Sequence, residues 1–397
     1  MKIYRNLSAA VVEGLHDIFV NKKYADKVIE KILKSNPKWG ARDRRFIAET
    51  TYDIVRWYRL FKEISEAEDE DFWKLLGVWC LWNNTEFPDW EEFKGLDRKK
   101  IEARYEEFQS DRKIKESIPD WLDELGEKEL GKEWAKELTA LNEEASVVLR
   151  VNTLKVNRKS LQQQLEEEEI VTDAPAEFPD ALILEQRQNI FTRQQFKDGL
   201  FEVQDAGSQL IAPFLKVEPG QRVIDACAGG GGKTLHLASL MQNKGRIIAL
   251  DTEEWKLEEL KKRSRRAGAG NIEARVIESS KTIKRLENSA DRLLLDVPCS
   301  GLGVIKRNPD AKWKLSVDFI ERVKELQQNI LADYSTMVKP GGLIVYSTCS
   351  LLPTENENQV EKFLESRKEQ FELVEQKWIK PSEGFDGFYM ALLKRKA

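Results

Sequence analysis

The residues with most chemical potential sit just beyond three apolar runs. Leu293-Leu-Leu-Asp-Val-Pro-Cys-Ser-Gly-Leu-Gly303 sets Asp296 and Cys299 at the tip of one predicted strand, and Leu343-Ile-Val-Tyr-Ser-Thr-Cys-Ser350 sets Cys349 at the tip of another. In the third, Arg222-Val-Ile-Asp225 leads through Cys227 and Ala228 into four glycines (Gly229, Gly230, Gly231, Gly232), then Lys233 and Thr234. Apolar residues then recur at helical spacing (Leu235, Leu237, Ala238, Met241), so this stretch reads as strand, tight turn and helix. Glycines there let a ligand approach the backbone, and the first helical turn offers free N–H groups. A single cysteine is usually a small buried hydrophobe. Two of them past strand ends, with a carboxylate three residues ahead of one, read as reactive thiols.

The turn admits several ligands. A phosphate loop requires Gly-x4-Gly-Lys-Ser/Thr, and position 227 is Cys, so that reading fails. A dinucleotide-type turn requires an acid about 20 residues on, which Asp251 supplies at the end of Arg246-Ile-Ile-Ala-Leu-Asp251. The pair indicates an adenosine-containing cofactor without saying which. The Gly-x-Gly-x-x-Gly order of a nicotinamide-dependent oxidoreductase is missing. With only His16 and His236, and no Cys-x-x-Cys pair or zinc spacing, neither a histidine triad nor a metal site is expected. Methylating carbon 5 of cytosine suits a thiol, a carboxylate and such a cofactor. Addition of a thiolate to carbon 6 turns the ring into an enamine able to attack a sulfonium methyl, and an acid near N3 and the exocyclic amine holds the base.

From residue 216 the chain alternates predicted strand (222–226, 246–251, 272–277, 291–297, 343–348) and helix (234–242, 253–267, 316–337, 355–366), with 371–374 and 388–393 as edge strands. This is the mark of a doubly wound, mostly parallel α/β sheet that binds ligands beyond its strand ends. Residues 145–215 read as a small α+β module, and 1–144 as all helical. The net charge of −5 hides an asymmetry: residues 1–60 carry an excess of about six Lys and Arg, and 61–145 an excess of about twelve acids. Arg42, Arg44, Arg45, Arg56 and Arg59, with Trp39 and Trp57, form a candidate RNA grip that a solvated helix face explains equally well. The later tryptophans (Trp73, Trp79, Trp82, Trp90, Trp121, Trp134) read as core anchors. Lys261, Lys262, Arg263, Arg265 and Arg266 read as a solvated face, while Arg307, Lys312 and Trp313 are as much candidate RNA contacts as loop packing. The start of the chain lacks a signal-peptide core and no run reaches membrane-span length, so a cytoplasmic protein with no membrane partner is expected.

Asp225-Ala-Cys-Ala-Gly-Gly-Gly-Gly-Lys-Thr234, Asp296-Val-Pro-Cys-Ser-Gly301, Arg307-Asn-Pro-Asp-Ala-Lys-Trp313 and Tyr346-Ser-Thr-Cys-Ser-Leu-Leu-Pro-Thr-Glu-Asn-Glu357 together resemble the RsmB/Sun family of RNA cytosine-5 methyltransferases. The resemblance covers roughly 147–394, and the helical start is weakly similar to that family's NusB-like RNA-binding domain. It implies a Rossmann-like class I methyltransferase domain and S-adenosylmethionine held by residues 227–233, Asp251, Glu278 and Asp296. It makes Cys349 the nucleophile and Cys299 its helper in product release. It implies RNA, 16S ribosomal RNA foremost, as partner of a monomer without metal, with a transfer RNA methyltransferase or an inactive assembly factor as alternatives. This chain has Gly229 and Gly230 where the family turn usually reads Ala-Pro.

Overall fold

The computed structural model describes residues 2–397 and divides into two compact units, one of residues 2–143 with 305–316, the other of 144–304 with 317–397. The first unit is built from helices, the longest being Arg5–Phe19, Ala25–Ser35, Ala41–Arg56, Phe72–Trp82 and Asp120–Leu130. Their three- and four-residue apolar spacing buries one stripe each, and Val11, Leu15, Ile47, Ile54, Val55 and Phe61 meet in a single core. Trp79 and Trp134 are buried, whereas Trp82 is more than a third exposed.

The segment 305–316 completes this core. Trp313 packs against Tyr58 and Phe19, and its indole N–H donates to the Val55 carbonyl at 2.7 Å. The Lys312 ammonium, fully buried, donates to Arg56 O at 2.7 Å and Asn142 Oδ1 at 3.0 Å. Burial pushes that amine well below its ordinary value. For Lys312 and Trp313 the structure therefore favours packing over RNA contact. Three members of the expected arginine grip are likewise held by protein. Arg44 donates to Trp39 O and Leu33 O, Arg56 to Lys306 O, and Arg59 to Ile118 O and Asp120.

The second unit holds eleven strands in two sheets: β1 (Val148–Val151), β2 (Thr172–Asp173), β3 (Ala181–Leu184), β4 (Phe201–Val203), β5 (Arg222–Asp225), β6 (Arg246–Asp251), β7 (Ile272–Val276), β8 (Ala290–Asp296), β9 (Val338–Thr348), β10 (Phe371–Ile379) and β11 (Phe388–Arg395). The first four form an antiparallel sheet in the order β2-β3-β1-β4. The other seven run β10-β11-β9-β8-β5-β6-β7, with β5 to β9 parallel and β10 and β11 antiparallel. Helices cover both faces, so Leu293, Leu294, Leu295, Ile344, Val345 and Tyr346 are all fully buried. That is why these strands read as continuous apolar runs. β9 begins at Val338, earlier than the expected 343, because Val338 pairs with Ala290 before a register shift. β10 and β11 extend beyond the expected 371–374 and 388–393 by pairing with each other.

Candidate active site

Strands β8 and β9 pair in parallel with Asp296 opposite Ser347, so their ends are level. Cys299 lies three residues beyond the first end, and Cys349 directly follows the second. Their sulfurs are 3.1 Å apart, and the Cys349 backbone N–H points to Cys299 Sγ at 3.3 Å. Gly303 brings the two loops together: its N–H donates to Cys349 O at 2.8 Å, and a Cβ there would lie 2.2 Å from Gly387 O. Both cysteines are partly exposed as residues. The Cys299 thiol is pushed well above the ordinary range, first by its hydrogen bond to Cys349, then by burial and the nearby Glu355 carboxylate. Cys299 is thereby held as a thiol.

The Lys233 ammonium lies 2.6 Å from Asp296 Oδ2, while Ser347 Oγ donates to Asp296 Oδ1 at 2.9 Å. Burial alone would lower Lys233, but the Asp296 carboxylate outweighs it and leaves the amine above its ordinary value. Asp296 is thus fixed by strand pairing, a hydroxyl and a cation.

Beside this pair an open pocket of about 300 Å³ is lined by Asp225, Cys227, Ala228, Gly229, Gly230, Gly232, Lys233 and Asp296, together with Val203, Gln204, Ser208 and Arg263. Gly231 sits beneath the turn with φ +85°, where a Cβ would come within 2.6 Å of Leu260 Cγ, so only glycine fits. Asp251 supports the turn by accepting Gly229 N–H at 2.8 Å and Glu253 N–H at 2.9 Å. Glu278 is exposed just beyond β7 and is not among the residues lining this pocket. Burial pushes the Cys227 thiol well up, as expected of an inert group.

Arg263 overturns part of the solvated-face reading of its helix. One face, three residues apart, turns Arg263 and Arg266 onto Glu202, and Arg263 also donates to Gly230 O at 2.7 Å. A carbonyl clamp therefore steadies the glycines that stand where the family turn has Ala-Pro. Arg263 was hidden in the sequence because its partners are 33 and 61 residues distant. Gln204 and Ser208 carried no sequence signal at all. Asp225 stood visibly at a strand end, but its role depends on burial: Thr234 Oγ1 donates to Oδ2 at 2.7 Å, while Oδ1 meets no hydrogen-bond partner among the described residues.

The pocket's lining suits a methyl donor bearing an amino acid. An unsatisfied buried carboxylate oxygen, a second carboxylate and a glycine turn presenting N–H groups suit a cationic sulfonium with an ammonium and ribose hydroxyls. A family model described as 16S rRNA methyltransferase RsmB/F matches residues 212–394, and one for the ferredoxin-like domain of RsmF/B-like methyltransferases matches 118–191. A relative from Synechocystis, "Probable ribosomal RNA small subunit methyltransferase B", is 33% identical over 96% of this chain and 97% of its own. The chain belongs to the RsmB/F methyltransferase family. "Ribosomal RNA small subunit methyltransferase B" of Vibrio cholerae is 35% identical over 70% of this chain and 65% of its own. The crystal structure of PH0851 matches with a TM-score of 0.83 at 25% identity, covering 99% of each chain. As an RsmB/F family member the protein is a methyltransferase whose cofactor is S-adenosylmethionine. Among the described residues no cluster of His, Cys, Asp and Glu is arranged to hold a metal, and no helix is long and apolar enough to cross a membrane.

Proposed function

We propose that the protein methylates carbon 5 of a cytosine in small-subunit ribosomal RNA. Support for the RNA comes from the names of its relatives, which are ribosomal RNA small subunit methyltransferases. The observation that carries the chemistry is the pair of adjacent thiols, 3.1 Å apart, at the end of the strands that also present Asp296.

Cys227, Ala228, Gly229, Gly230, Gly232 and Lys233, with Asp225, would hold the cofactor while Asp251 braces their turn through Gly229 N–H, and the cofactor would supply an electrophilic methyl group. Asp296 accepts a hydrogen bond from the exocyclic amine of an extruded cytosine, and the Lys233 ammonium donates toward N3, where electron density gathers on attack. The Cys349 thiolate adds to carbon 6: the S–C6 bond forms and the C5–C6 π pair becomes nucleophilic at carbon 5. After methylation, loss of the C5 proton to a base restores the C5–C6 double bond and breaks S–C6. Cys299, held as a thiol, donates its S–H to the departing Cys349 sulfur and so stabilises the leaving thiolate.

Bisulfite sequencing of ribosomal RNA from cells with and without the protein tests the assignment. Loss of the mark at one cytosine is expected; an unchanged cytosine pattern would overturn it.

A further inference from the structure

Behind the two thiols lies a carboxylate with no part in the chemistry above. Glu355 is fully buried. Its Oε2 accepts from Ser300 N–H at 2.8 Å and from Gln327 Nε2 at 3.0 Å, and its Oε1 accepts from Ser350 Oγ at 2.5 Å. Ser350 Oγ lies 3.1 Å from Ser300 Oγ, and Gln327 Nε2 also donates to Pro298 O at 3.0 Å. These donors are a backbone amide, a side-chain amide and a hydroxyl, all neutral. A carboxylate taken out of water without a cation is costly, and three converging donors offset only part of that cost.

The placement is specific to the reacting residues. Ser300 immediately follows Cys299 and Ser350 immediately follows Cys349, so a single side chain ties together the two turns that carry the sulfurs. Tyr346, on β9 just before the second turn, anchors the Glu355 backbone through a 2.7 Å bond from its hydroxyl to Glu355 O. Thr348 and Ser350 O are bonded to the neighbouring Asn356. The loop carrying Glu355 therefore cannot drift without moving both cysteines.

We propose that Glu355 is a positioning residue for the thiols: its carboxylate locks the turn after Cys299 to the turn after Cys349 and so holds the two sulfurs in contact. This rests on the reading of Cys349 as nucleophile. The same negative charge is among the influences that raise the Cys299 thiol. One buried group thus sets the spacing of the sulfurs and acts on the Cys299 thiol.

Glu355→Gln keeps the shape but removes the charge and turns an amide donor toward one of three existing donors. Ser350→Ala removes the hydroxyl that meets Glu355, Ser300 Oγ and Leu352 N–H, leaves the carboxylate itself in place, and is the milder probe. With RNA-free protein, iodoacetamide labelling followed by peptide mass spectrometry reads each cysteine separately across pH 6–9. In Glu355→Gln the labelling profile of Cys299 is expected to move to lower pH. Its kcat is expected to fall about tenfold or more, as loss of a charge-assisted hydrogen bond implies, while cofactor affinity and KM for RNA stay within about twofold. Ser350→Ala is expected to move kcat in the same direction by less. Unchanged kcat and unchanged labelling in both variants would overturn the proposal. So would parallel loss of kcat, cofactor binding and thermal stability in both variants, which would reduce Glu355 to a folding role. Full turnover by Cys349→Ala would overturn this inference and the nucleophile assignment together, whereas failure of the Glu355 and Ser350 results alone leaves that assignment standing.

Discussion

The sulfurs of Cys299 and Cys349 lie 3.1 Å apart although 50 residues separate them in the chain. That contact exists because β8 and β9 are parallel neighbours with level ends. It brings the two thiols within hydrogen-bond distance of each other. Cys349→Ala is expected to abolish methyl transfer while cofactor binding, followed by calorimetry, stays intact. Cys299→Ala is expected to accumulate a protein–RNA adduct that survives denaturing electrophoresis, because the leaving thiolate has lost its donor. An adduct that required Cys299 and formed without Cys349 would reverse the roles.

The Lys233 ammonium pairs with Asp296 at 2.6 Å. Lys233→Met is expected to lower kcat/KM about 10²-fold or more, as removal of a preorganised donor does. Because its amine is raised above the ordinary value of 10.5, the stabilisation from the ion pair is fully present below that value. It is lost only as pH rises through the still higher folded value. Thermal melts are therefore expected to show Lys233→Met less stable than wild type throughout pH 8–9; a difference that vanished within this range would contradict the pairing.

Asp225 behaves differently. Burial lifts its carboxyl from 3.8 to about 7. Between those values the folded protein binds more protons than the unfolded chain, so stability present below the lower value is lost as pH rises through about 7. The slope is about 1.4 kcal/mol per pH unit at most. Asp225→Asn is expected to flatten the melting profile between about pH 4 and 7 and to raise the melting temperature at pH 8. An unchanged profile would show that the carboxyl is not held up.

Lys312 and Trp313 belong to the core of the helical unit. Lys312→Ala leaves the Arg56 carbonyl and Asn142 Oδ1 without their buried donor, and is expected to cost about 2–4 kcal/mol. Trp313→Ala is expected to cost about 3–5 kcal/mol. Urea unfolding measures both, and RNA affinity of the folded variants, read by filter binding, is expected to stay within about twofold. Weaker RNA binding with undiminished stability would restore the surface role.

Much of this protein is legible in one dimension wherever the signal is local. Apolar runs flanked by helical periodicity mark β5, β6 and β8 almost residue for residue, because a strand covered on both faces must be apolar throughout. The glycine turn and Lys233 are legible for a similar reason: close backbone approach and a tight strand–helix turn restrict the residue types in the segment itself.

What required the tertiary structure are pairings between distant segments. Lys312 reads as much a candidate RNA contact as loop packing until the helical unit closes over it, and Arg263 as part of a solvated run until Glu202 and Gly230 O meet it. Periodicity and local backbone preference placed most strands of the parallel sheet, the glycine turn and the residue types at their ends, but not β2 or the full extents of β9 and β10. Only the folded arrangement decided which side chains touch, because burial, charge pairing and the 3.1 Å sulfur contact arise from strand order and packing between residues far apart in the chain.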